Sequence, residues 1–174
     1  MERVLSVIDK TSRIVGESVS YLLWIGAAML AWEVLSRYFF NAPTVWAHGY
    51  SQRIFGSYFI LVGAYTLVQD GHVRIDLVIN QYPFRVRKVF DLLNYGFLLL
   101  WSSVLIREGW LFFLESWQLR EADEMALAHP VYPVKFILFA GAVLIMLQGL
   151  AMFIRSGADL IKGDKLVKGD KDES

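Results

Sequence analysis

The sequence predicts an all-α membrane protein with four transmembrane helices and both termini in the cytoplasm. Three observations predict it. First, four long stretches carry no charged residue, at 19–32, 54–68, 92–106 and 136–154. Second, with the N-terminus inside, twelve Lys and Arg fall in the inner segments and only three, Arg37, Arg53 and Arg120, in the outer loops. Such a bias is how cytoplasmic loops are marked. The remaining cations, Arg107 and Lys135, then lie at or near helix ends on the outer side. Third, 56% hydrophobic and 15% aromatic content in 174 residues is more apolar surface than a soluble domain this small can hide. Mean hydropathy is +0.43.

Each uncharged run extends into its flanks to reach the roughly 20 residues a span requires. The expected spans are 16–36, 54–70, 89–112 and 131–155, within one transmembrane domain at 1–155. In the first span Gly26, Leu30, Glu33 and Arg37 share a face. Glu33 precedes Arg37 by four residues, the favourable order for a helical ion pair. An acidic residue beside a membrane needs a partner, so Glu33 is either half of that pair or a proton or ion site. Pro43 then stops the helix, and Thr44 can cap the next one. Trp46, Tyr50 and Ile54 recur at helical spacing, which suits an interfacial turn serving as an aromatic anchor or a docking element.

The inner segment after the second span reads Asp70, Gly71, His72, Val73, Arg74, Ile75, Asp76. As a helix it pairs Asp70 with Arg74 and His72 with Asp76; as an extended strand its polar and apolar residues alternate. Either way it has one polar face and one apolar face. Arg85, Arg87 and Lys88 return the chain to the membrane where anionic headgroups meet cations. The acidic outer segment 115–124 is either a surface for another protein or a solvated helix end. In the fourth span Gly141, Ile145, Gln148 and Met152 share a face, and an amide in hydrocarbon commonly joins helices. Segment 156–174 reads as a flexible, charged cytoplasmic tail with Lys-Gly-Asp-Lys twice, at 162–165 and 168–171.

Many chemistries are excluded by inventory. There are no cysteines, so no disulfide, thiolate metal site or iron–sulfur ligation is available. The net charge of +0 offers no basic field for nucleic acid. His48, His72 and His129 fall in loops, so no histidine pair on facing spans can hold a haem. No glycine-rich phosphate loop or nucleophile elbow occurs. The expectation is a protein that is not an enzyme, with no catalytic, cofactor or metal-ligating residue. The long basic segment before the first span reads as an uncleaved anchor, not a secretory signal.

Over about residues 5 to 155 the chain resembles the small membrane subunit of the TRAP (tripartite ATP-independent periplasmic) transporters. The resemblance is carried, in order, by Trp32-Glu33 with Arg37-Tyr38, by the turn from Asn41 through Pro43 to Trp46, and by Gly63-Ala64. It continues with the motif from Gly71 to Asp76, with Pro130, Pro133 and Lys135, and with Gln148-Gly149. It implies a scaffold subunit in the bacterial inner membrane. Its partners would be a large membrane subunit, a periplasmic substrate-binding protein and membrane lipids. The large subunit would carry the substrate, commonly an organic acid, and the coupling Na+. The end of this chain after its tail implies that the large subunit is a separate chain. Candidate contacts with subunit or lipid are Glu33, Arg37, Trp46, His72, Arg74, Asp76, Lys135 and Gln148. One departure is that relatives often place acidic residues after the loop tryptophan, where this chain has Ala47, His48 and Gly49. The alternatives are a small multidrug–proton antiporter using Glu33, which would want a deeper carboxylate, and a membrane redox subunit.

Overall fold

The computed structural model describes residues 2–69, 83–123 and 128–172, which form four helices. They are α1 (Glu2–Phe39), α2 (Ala47–Val68), α3 (Phe84–Gln118) and α4 (Tyr132–Asp172). No strand is present among the described residues, only one antiparallel bridge between Ala122 and Pro130. The motif from Gly71 to Asp76, with His72, Arg74 and Asp76, lies outside the described residues.

Helix ends follow local chemistry. After α1 the chain reverses at Asn41, which takes a φ of 50°, and Ala42 N–H donates back to the Ser36 carbonyl at 3.0 Å. Asparagine tolerates the left-handed region better than most side chains, and Pro43 prevents the helix from resuming. Pro83 stands before α3, its carbonyl accepting from Val86 and Arg87 N–H at 3.0 and 3.2 Å. Pro133 sits in the first turn of α4, where its missing N–H costs nothing. The expected cap at Thr44 is not made. The N-cap of α2 is Trp46, without a side-chain cap bond. The Thr44 N–H and hydroxyl both donate instead to the Glu33 carboxylate, charge-assisted bonds being the stronger kind.

Three helices are long and apolar enough to cross a membrane, over Arg3–Phe39, Arg85–Gln118 and Tyr132–Ile161. α2 begins earlier than the expected span at 54–70, and Ser51, Gln52 and Arg53 dilute its first turns. Its 22 residues still reach about 33 Å, the thickness of a hydrocarbon core. α1 and α4, at 38 and 41 residues, are near 57 and 62 Å, so both overrun any bilayer. α4 remains helical through Asp172, beyond the boundary at 155, because no proline interrupts it and Leu, Ile and Lys favour helix.

The helices lie side by side in the order α1, α2, α4, α3, with a small extra contact between α1 and α4. Glycines fix the register. Gly16 lies against Tyr65 and Gly26 against Phe55, so α1 and α2 are antiparallel. Gly141 lies against Ile60 and Gly63 against Ile145, so α2 and α4 are parallel. Gly109 faces Phe139 and Gly149 faces Leu98, making α3 and α4 antiparallel. The chain thus runs up, down, up, down, and small residues let backbones approach where no hydrophobic effect operates between helices in lipid. The result is an open row, not a closed bundle. α2 and α4 are covered on both flanks, whereas α1 and α3 each bury one narrow stripe and expose the rest.

Candidate functional site

The row is tied at each end by polar clasps built from residues far apart in sequence. At one end Asp9 of α1 accepts from Arg155 of α4 at 2.5 and 3.2 Å. The Gln148 amide, fully buried, donates to the same carboxylate at 2.9 Å and accepts the Ser12 hydroxyl at 3.0 Å. Lys88 of α3 reaches Asp159 of α4 at 3.1 Å. Charges that would be costly near hydrocarbon are therefore paired across helices.

At the opposite end three clasps hold the loops. Glu33, 7% exposed, accepts on one oxygen from Arg37 at 2.6 and 3.1 Å. Its other oxygen accepts Thr44 N–H at 2.9 Å and the Thr44 hydroxyl. This carboxylate pins the turn between α1 and α2. The second clasp centres on Arg53, which donates to Asp123 at 3.1 Å and to the carbonyls of His129 and Pro130 at 3.2 and 3.4 Å. The Tyr50 hydroxyl meets His129 Nε2 at 2.9 Å. Both residues of α2 thus grip the loop between α3 and α4. That loop is itself folded: Asp123 N–H donates to the His129 carbonyl at 2.8 Å and Val131 N–H to the Glu121 carbonyl at 3.1 Å.

The third clasp is Lys135, 9% exposed, which donates to Glu121 and lies 3.7 Å from the centre of the Phe112 ring. The Lys135 ammonium holds the Glu121 carboxyl below its ordinary value of 4.5. Beneath it Trp110, Phe113, Trp117, Tyr132, Phe136 and Phe139 stack in tilted and edge-on pairs with centroids 5.0 to 6.3 Å apart. Aromatic girdles of this kind suit a membrane–water boundary.

Of the residues singled out by sequence, Glu33 and Arg37 form the expected pair. Trp46 is 40% exposed, edge-on to Tyr50 at 6.3 Å. Lys135 and Gln148, candidate contacts with subunit or lipid, turn into the chain, as does the face that Gln148 shares with Gly141 and Ile145. The reason is that α4 is a middle helix, so its small-residue face is spent on α2 and its amide on α1. The face of Gly26 and Glu33 is likewise spent, on α2 and the Thr44 turn. The acids of the outer segment are partly neutralised inside, Glu121 by Lys135 and Asp123 by Arg53. Arg107 and Glu108 are not at a helix end: they precede Gly109, which packs on Phe139 well inside α4, and they pair with each other at 2.6 Å on the exposed side of α3.

The clasp of Arg53, Asp123, Tyr50 and His129 was not foreseen. The available signal was Arg53 itself, one residue before an uncharged run, which demands a partner once the helix starts at Ala47. No group of three or more His, Cys, Asp or Glu is placed to hold a metal ion among the described residues.

A helical row with three helices long and apolar enough to cross a membrane, tied at both ends by internal clasps, is the setting in which the family comparison falls. The model for the tripartite ATP-independent periplasmic transporters, DctQ component, matches residues 26–158. The chain belongs to this family. No match was found among curated proteins. The DctQ assignment makes the protein the small membrane component of a TRAP transporter, a family of transporter parts that work with other subunits. The match begins at Gly26 and ends just past Arg155, so it takes in the three clasps at the Glu33 end in full. It leaves out the first turns of α1, where Asp9 and Ser12 make their contacts.

Proposed function

We propose that this DctQ component is the static scaffold partner of a separate large membrane subunit. That subunit would take up an organic acid by Na+-coupled secondary transport, fed by a periplasmic substrate-binding protein. In this reading the protein is a multi-pass component of the bacterial inner membrane. All four helices span it, α2 carried between α1 and α4, and both termini face the cytoplasm. The antiparallel order of the helices supports a common side for the termini, and the cation bias supports the cytoplasmic one.

The observation that carries the reading is the open row. Glu33, Arg53, Lys135 and Gln148 are spent in clasps within the chain, while Tyr21, Trp24, Phe97 and Trp101 project from the outer helices, each more than 60% exposed. A scaffold needs a rigid, wide apolar body that lipid and a partner subunit can cover. A carrier of cargo needs polar groups aimed at a shared internal cavity. The antiporter reading is not favoured, because the Glu33 carboxylate is engaged by Arg37 and Thr44 at the end of α1.

The test is co-purification and transport. A tag on this chain is expected to bring down a large multi-span subunit. Reconstituted uptake of a carboxylate is expected to require both chains, the binding protein and a Na+ gradient. Transport by this chain alone in vesicles, abolished by Glu33→Gln, would overturn the scaffold reading.

A further inference from the structure

The glycine contacts set each helix at a definite height against its neighbours, and the uncharged runs do not share that height. With Gly26 on Phe55, Gly141 on Ile60 and Gly109 on Phe139, the level of Gly141 in α4 is that of Ile60 in α2, Tyr21 in α1 and Arg107 in α3. The run of α1 lies between Glu17 and Glu33, that of α2 starts after Arg53, that of α4 lies between Lys135 and Arg155, and that of α3 between Asp91 and Arg107. Across the row α1, α2, α4, α3 the edge nearer Glu33 shifts the same way at every step, and the opposite edge follows. The whole displacement is about twelve residues, or roughly 18 Å. An upright row would therefore hold exposed charges in hydrocarbon. Arg107 and Glu108 pair with each other yet stay 76% and 56% exposed, at the level where α1 presents Tyr21 from within its run. Glu17, exposed on α1, is level with Ile145 and Ser103, which lie within the runs of α4 and α3. About four helical steps, roughly 6 Å, separate the level of Arg107 from that of Glu17, against a hydrocarbon core of roughly 30 Å.

We infer that the bilayer meets this chain along an oblique belt, the helices leaning about 35° in the plane of the row. That slope is the 18 Å displacement, roughly, across three helix spacings of about 9 Å. A slanted belt follows the four uncharged runs and leaves the exposed charges at its edges, where ionisation costs least. Its strictly uncharged depth is about 20 Å instead of 6 Å, and edge side chains such as Arg107 extend it by reaching out toward headgroups. A lean of this size lies within the range of membrane helices and takes up part of the excess length of helices of 38, 35 and 41 residues. Two overhangs result at opposite corners of the row. One is α1 before Ser18, with Arg3, Lys10 and Arg13; the other is α3 from Arg107 onward, with Glu108, Glu115 and the aromatic stack. The lean needs only that the helices cross a membrane. In the orientation proposed above, the first overhang is cytoplasmic and the second periplasmic.

The chain has no cysteine, so a single introduced one is labelled alone. Four exposed apolar sites form two pairs that are level along the helix axes, Ile14 with Leu100 and Ile25 with Leu111. Ile14→Cys, Ile25→Cys, Leu100→Cys and Leu111→Cys are each made in the full chain, spin-labelled and reconstituted in phospholipid vesicles. Label depth is read by power saturation with oxygen and a water-soluble nickel chelate. Ile25→Cys and Leu100→Cys are expected near the bilayer centre, and Ile14→Cys and Leu111→Cys near opposite surfaces. The members of each pair should then differ in depth by roughly 15 Å, the lean acting over three helix spacings. Equal depth within each pair is the upright row and overturns the proposal, as does the reverse order. Should a labelled variant misfold, the unlabelled wild type decides through polarised infrared spectra of oriented bilayers. A mean helix tilt above about 25° is expected, and a smaller one overturns the proposal. Neither measurement involves a partner subunit or transport, so an upright row would leave the scaffold reading standing, and loss of the scaffold reading would leave the lean.

Discussion

The middle and the outer helices of the row use similar residues for opposite ends. α2 and α4 place glycines against large side chains, Gly63 against Ile145 and Gly141 against Ile60, and α4 buries Gln148 completely. α1 and α3 are as rich in aromatics, yet Trp24 and Trp101 point away from the chain, 76% and 62% exposed. What differs is the number of neighbours, not the composition. A helix with two flanks spends its small and polar residues on packing, and a helix with one flank leaves most of its surface to the surroundings.

That comparison can be broken at several points. The largest effect is expected from Gly141→Leu, which drives a side chain into Ile60 between the middle helices. A loss of about 3 kcal/mol is expected in denaturant unfolding in detergent, the upper range for overpacking. A neutral result would mean that α2 and α4 are not held in this register. Gln148→Leu strips Asp9 and Ser12 of a buried partner and is expected to cost roughly 2 kcal/mol, read as a lower unfolding midpoint. If stability instead rises, the clasp of Asp9, Ser12 and Gln148 is not formed.

Ala128→Gly should stabilise by about 1 kcal/mol, since Ala128 holds a φ of 43° that only glycine adopts without strain. An unchanged midpoint would show that the loop relaxes around Ala128. The Glu121 clasp predicts a pH dependence. Its folded value lies below the ordinary 4.5, so its contribution is complete above pH 4.5 and is lost as pH falls through the lowered value. Thermal melts of wild type and Glu121→Gln should therefore converge in acid and separate above pH 4.5, and parallel curves would remove this clasp. The smallest effect on stability, within about 0.5 kcal/mol, is expected from Trp101→Leu on the outer face of α3. If Trp101→Leu destabilises the isolated chain by more, the outer face is packed after all.

Legibility in the sequence followed interaction range. The Glu33 and Arg37 pair was readable because four residues on a helix fix a distance whatever surrounds it. The end of α1 before Pro43 was readable for the same local reason. The Thr44 cap is not made because Thr44 is held, through its N–H and hydroxyl, on Glu33 of the preceding helix, and α2 starts after Trp46. The helical spacing of Trp46, Tyr50 and Ile54 was readable ahead of the second uncharged run, but Arg53, counted among the outer-loop cations, stands inside α2. Only the folded loop, bringing Asp123 and the carbonyls of His129 and Pro130 to it, makes a guanidinium tolerable inside the helix.

By itself the sequence determined the number of helices, their alternation and the end of the molecule that carries the cations. These depend on hydropathy, proline and charge read residue by residue, together with the rule that backbone in lipid must pair within its own segment. Only the tertiary structure decided that α4 stands between α2 and α3, that Gln148 and Lys135 face inward, and that the outward surfaces belong to α1 and α3. An apolar helix in a membrane has no polar side to tell it which way to turn. Facing is chosen by the fit of glycines against large side chains and by polar partners more than a hundred residues apart, such as Asp9 and Arg155.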